Sequence, residues 1–108
     1  MAELARPPSE YLLRESADVG AAFRALRNGL LASGPLDAAT CELIVVAGLA
    51  TAGFEDSFKI HATRLLESDT PAAAIRHAVM VTLGASSTAF QVARALQWVD
   101  ELEVDFQR

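Results

Sequence analysis

The sequence predicts an all-α fold of five to six helices. Three observations carry this reading. Apolar residues recur at intervals of three and four in every long segment, and no window alternates with period two. The 52% hydrophobic content is mostly Ala, Leu and Val, with aromatics at only 6%, which suits closely packed helices. The runs VVAGLA from Val45 and VMVTLG from Val79 are apolar enough for short buried strands, but both lie within longer alanine-rich helical patterns.

Residues 1–15 read as a tail and a short helix, because Pro7 and Pro8 discourage a helix before them and Ser9 can cap a turn that runs to Glu15. Residues 16–108 read as one helical domain. Ser16 or Asp18 opens an amphipathic helix with Val19, Ala22, Phe23, Leu26 and Leu30 on one side and Arg24, Arg27 and Asn28 turned away. Gly34 and Pro35 stop it near Ser33. Asp37 is the natural N-cap of a central helix running to about Ala52, and Gly53 is its stop. The next helix, from about Glu55 to Glu67, sets Phe54, Ser57, Phe58 and His61 on one face.

Thr70 followed by Pro71 is the expected N-cap and first helical position of a further helix, apolar nearly all round, that breaks at Gly84. Ser86 or Ser87 is expected to cap a last helix to about Val104, with Phe90, Ala93, Leu96 and Val99 or Trp98 as its buried stripe.

Composition narrows the function classes. A formal charge of −5 and a pI near 4.9, with arginines scattered along the chain, give no footprint for nucleic acid. The N-terminus lacks the plan of a signal peptide and the charge-free run from Leu43 to Phe54 is too short for a bilayer, so no membrane is expected and the cytoplasm is the default. The single cysteine, Cys41, excludes an intrachain disulfide and any CxxC motif. No metal or cofactor is expected. Two helices apolar on most sides exceed what one small monomer easily covers, which predicts a homo-oligomer.

The chemistry gathers in the central hairpin. Leu43, Ile44, Val45, Val46, Ala47, Leu49 and Ala50 carry no charge, and such a helix is normally buried on every side. Glu42 at its head must then reach solvent, find a partner or take up a proton. Glu42 lies eleven residues before Gly53 and His61 eight after it, so at about 1.5 Å per residue the two stand at similar heights on an antiparallel hairpin.

The stretch LDAATCELIVVAGLATAGFEDSFKIHATRLL resembles the signature of the carboxymuconolactone decarboxylase and alkyl hydroperoxidase D-like superfamily. That signature has an LD-x-x-x-x-E-L-I opening, an alanine-rich apolar helix, and a histidine nineteen residues after the glutamate. Leu36, Asp37, Glu42, Leu43, Ile44 and His61 fit it, and FRALRNGLLASG resembles the helix that precedes it. The resemblance implies a helical bundle that assembles as a trimer or hexamer. It also implies a branch of the superfamily, because the peroxidase members place a CxxC pair twelve and fifteen residues after the glutamate. Phe54 and Ser57 stand there in this chain, which disfavours thiol peroxidase chemistry.

The decarboxylase-type members carry a second histidine in the following helix. His77 is the candidate, although its interval from His61 is about one helical turn short and the turn from Ser68 to Thr70 is shorter than usual.

The enzymatic reading is therefore acid–base chemistry on a small carboxylated lactone or β-keto acid. The catalytic candidates are Glu42, His61 and His77; the substrate-binding candidates are Ser57 together with Arg64 or Arg76, either of which suits a carboxylate. Histidine is the side chain whose ordinary pKa lies near neutrality, and a carboxylate beside it fixes its tautomer. Three alternatives stand beside this. Glu42 and His61 satisfy each other inside the hairpin with no catalytic role; Ser57, His61 and Glu42 form a hydrolytic triad, though nothing supplies an oxyanion hole; or the fold serves as a non-catalytic oligomeric or partner-binding protein.

Overall fold

Six α-helices make up most of residues 8–106, the part of the chain that the computed structural model describes: α1 (Pro8–Glu15), α2 (Ala17–Leu31), α3 (Ala38–Ala52), α4 (Glu55–Glu67), α5 (Ala72–Met80) and α6 (Ala89–Phe106). There is no strand among the described residues, only one isolated bridge between Leu83 and Ser87. The chain divides into two compact units between Leu36 and Asp37.

In the first unit α1 and α2 pack on each other. Ser16 caps α2, its hydroxyl accepting from the Val19 amide at 3.2 Å. Gly20 is the buried residue of α2. A Cβ placed on it would lie 2.7 Å from the Leu13 Cα, so the approach of the two helices depends on the missing side chain. The stripe Val19, Phe23, Leu26 and Leu30 keeps helical spacing but is exposed.

The second unit holds the core. Val46 and Ala50 from α3, Phe58, Ala62 and Leu65 from α4, Ile75 and Val79 from α5, and Val92, Ala95, Trp98 and Val99 from α6 are buried together, each set at helical spacing. Phe58 and Trp98 meet as a tilted pair, ring centroids 5.4 Å apart. The hairpin is made as its residues dictate. Asp37 accepts from the Thr40 amide at 2.8 Å to start α3, and Gly53, at φ 79°, ends it in the left-handed region.

Several expectations need correction. The apolar α3 is buried on one side only, and Ile44 is 56% exposed. In α5, likewise, Ile75 and Val79 are buried while Met80 at its end is exposed. Pro71, in extended conformation, is the N-cap of α5 and Ala72 its first residue, so Thr70 lies before the cap, its amide bonded to Leu65 O at 2.9 Å in closing α4.

The start of α6 also differs. Neither Ser86 nor Ser87 caps it: Thr88 and Gln91 form a reciprocal capping box, with Thr88 N to Gln91 Oε1 at 2.8 Å and Gln91 N to Thr88 Oγ1 at 3.2 Å. Ser87 is instead buried, its hydroxyl 2.5 Å from Thr51 Oγ1. The buried stripe of α6 is Val92, Ala95, Trp98 and Val99, leaving Phe90 and Ala93 exposed.

Candidate functional site

The α3–α4 hairpin brings Glu42 and His61 together. Asp37 fixes where α3 begins and Gly53 where it ends, so the two side chains meet at the height their distances from the turn imply. His61 Nδ1 lies 2.8 Å from Glu42 Oε2. An ionised carboxylate only accepts, so Nδ1–H is the donor and Nε2 is left to exchange a proton with something else. The two side chains keep 17% and 16% of their surface, enough shielding to strengthen the bond while leaving the pair in reach of solvent.

The other candidate residues occupy separate positions. Ser57 is half-buried one turn before His61, and Arg64 is exposed one turn after it. Neither has a side-chain bond to the pair among the described residues. Arg76 belongs to the α5–α6 contact. Its guanidinium pairs with Asp100 at 2.8 Å and with Glu103, and the hydrogen bond to Glu103 holds its pKa above the ordinary value against the opposing effect of burial. His77 follows it on α5 with its side chain exposed, and its carbonyl accepts the Val81 amide at 3.0 Å.

Two interactions of the second unit have no counterpart in the sequence reading. Lys59 bridges Glu55, one turn before it at 2.9 Å, and Glu101 of α6 at 2.7 Å. Burial opposes the Lys59 charge, but the hydrogen bonds to Glu101 and Glu55 outweigh it and raise the pKa. Only the Glu55–Lys59 half has a local signal, an acid four residues before a base. The second is a polar tie from α3 to α6: Gln91 Nε2 donates to Thr51 O at 2.9 Å beside the Thr51–Ser87 contact. These residues hold the hairpin on α6 and have no hydrogen bond to the Glu42–His61 pair among the described residues.

A depression of about 290 Å³ lies at the α4–α5 turn, lined by Leu66, Asp69, Thr70, Pro71, Ala72, Glu103 and Phe106; none of the candidate site residues lines it. Among the described residues no three of His, Cys, Asp and Glu gather as a metal ion would require, and no helix is long and apolar enough to cross a membrane.

Comparison with curated proteins and with solved structures returned no match. A family model does match: the description Carboxymuconolactone decarboxylase family covers residues 17–101, a span that contains the glutamate, the histidine and all of α2 to α5. With six helices among the described residues, one cysteine, and a glutamate and histidine paired across the central hairpin, the chain belongs to the carboxymuconolactone decarboxylase family.

Proposed function

We propose that the protein is a cofactor-free lyase that decarboxylates a small carboxylated lactone or β-keto acid by proton transfer at His61. The observation that carries the reading is the 2.8 Å contact between His61 Nδ1 and Glu42, which orients the ring and leaves Nε2 to act on a bound molecule. In such an acid the bond from carbon to the carboxylate breaks, carbon dioxide leaves, and the electron pair passes into the carbonyl as an enolate. The imidazolium of His61 then returns a proton to carbon and is recharged from water. Glu42 holds the tautomer and stabilises the positive ring.

Arg64 is the better candidate to hold the substrate carboxylate, since Arg76 is already engaged by two acids of α6. Ser57, one turn from His61, is assigned the hydrogen bond to the carbonyl, and His77 a supporting role at most. We further propose that the protein works as a homo-oligomer, trimer or hexamer, in the cytoplasm. The exposed apolar face of α2, together with Ile44 on α3 and Met80 on α5, supports assembly. Thiol peroxidase activity is disfavoured because Phe54 and Ser57 occupy the positions of the paired cysteines.

A panel of 4-carboxymuconolactone and related lactone and β-keto acids tests the substrate class. Release of carbon dioxide from at least one of them, with KM raised about tenfold or more by Arg64→Ala, is the expected outcome. No turnover across the panel would favour the non-catalytic reading, in which the pair only satisfies itself.

A further inference from the structure

Two bases from neighbouring helices, Lys59 and Arg76, take Glu101, Asp100 and Glu103 in the second half of α6. Arg94, in the first half and half-buried, has no hydrogen bond and no ion pair with the described residues, and its Nε is buried without an acceptor. Its neighbours one turn away on α6 are Phe90, Gln91, Gln97 and Trp98, none of them charged, and the Gln91 amide is engaged by Thr51 O and the Thr88 amide. A guanidinium carries five N–H donors and keeps its charge at any ordinary pH, so a half-buried one without an acceptor holds donors that an anion can satisfy.

The surroundings of Arg94 indicate which anion. Its guanidinium lies 5.2 Å from the Trp98 ring centre and 5.5 Å from that of Phe90. Trp98 is 5% exposed and Phe90 72%, so one ring backs the group and the other stands open beside it. Nη2 also stands 2.6 Å from where a Cβ on Gly53 would lie, at the C-terminal end of α3. That helix end carries partial negative charge, which offsets part of the cation and favours a singly charged anion over a phosphate with up to two charges. The planar fork matches a carboxylate, and the open ring of Phe90 offers apolar contact to the body that carries it. Gly53 precedes His61 by eight residues, about 12 Å along α4, which sets this group apart from the Glu42–His61 pair.

We propose that Arg94, with Phe90, binds a small monocarboxylate that has an apolar or aromatic body, at a site separate from the Glu42–His61 pair. The site does not depend on the lyase reading.

Trp98 is the only tryptophan of the sequence and lies against the guanidinium, so its fluorescence reports the site. Phenylacetate is the probe, with calorimetry in parallel and circular dichroism to confirm that each variant keeps its helices. The expected result is saturable binding with a Kd of about 1 mM or tighter, and none with neutral phenylacetamide or inorganic phosphate at the same concentrations. Arg94→Met is expected to weaken binding about tenfold or more, and Phe90→Ser, at a ring outside the core, about threefold. Arg64→Ala and His61→Ala are expected to bind phenylacetate as the wild type does. Absence of saturable binding by both readouts overturns the proposal, and so does binding that Arg94→Met or Phe90→Ser leaves intact. An equal response to phenylacetamide would mark a purely apolar contact, and one to phosphate a general anion contact; either overturns it too. Loss of binding in Arg64→Ala or His61→Ala would put phenylacetate at the pair and overturn the separate site.

Discussion

Gly53 joins the two helices that carry the site, and its φ of 79° is a conformation most residues adopt only under strain. A Cβ at Gly53 would also lie 2.6 Å from Nη2 of Arg94. Gly53→Ala is therefore expected to lower stability by about 1–2 kcal/mol, read as a lower denaturant midpoint at unchanged slope. An unchanged midpoint would mean that the hairpin closes without this turn geometry. The stop itself was legible in the sequence, because a glycine after a charge-free helical run is a local signal. The arginine packed against it was not, since Arg94 comes from α6 and no local pattern ties it to the turn. The same holds at the site. Glu42 and His61 could be paired by counting outward from Gly53, whereas the engagement of Arg76 by Asp100 and Glu103 depends on how α6 lies along α5.

At the scale of elements, α4 is tied to α6 by Lys59 and Glu101, and the tie has a pH signature. The hydrogen bond from Lys59 lowers the Glu101 pKa below its ordinary value. A depressed folded-state pKa means stability that is complete above the unfolded pKa and is lost as pH falls through the folded one. Wild type is thus expected to melt slightly above Glu101→Gln at neutral pH, with the two curves converging as pH falls through the carboxylate range. The gap is small because both groups meet solvent. A gap that persists at pH 3 would assign the effect to packing.

The helices α3 and α4 were bounded almost to the residue by Asp37, Gly53 and Ser68, all local signals. The buried stripe of α6 has no local signal, because Phe90, Val92, Ala93, Ala95, Leu96, Trp98 and Val99 put apolar residues on more than one side of the helix. Thr88 with Gln91 is a capping box readable in sequence, but two serines just before it compete for the same role, and only the buried Thr51–Ser87 contact decides between them. The face of α3 that stays exposed could not be foreseen from a helix apolar on every side, because such a helix offers no polar face to orient it.

Taken as a whole molecule, the protein keeps the carboxylate and imidazole of its family without the paired thiols, and the proposed proton transfer rests on that pair. The most direct test is kcat of His61→Ala relative to wild type, measured on whichever acid of the panel is turned over, with the melting temperature of each. A catalytic pair predicts a loss of roughly 10²- to 10⁴-fold at a nearly unchanged melting temperature, and a smaller loss for Glu42→Gln. A His61→Ala enzyme within about threefold of wild-type kcat would contradict the account. So would a wild type without turnover whose two variants are each destabilised by about 1–3 kcal/mol, the mark of a pair that only satisfies itself.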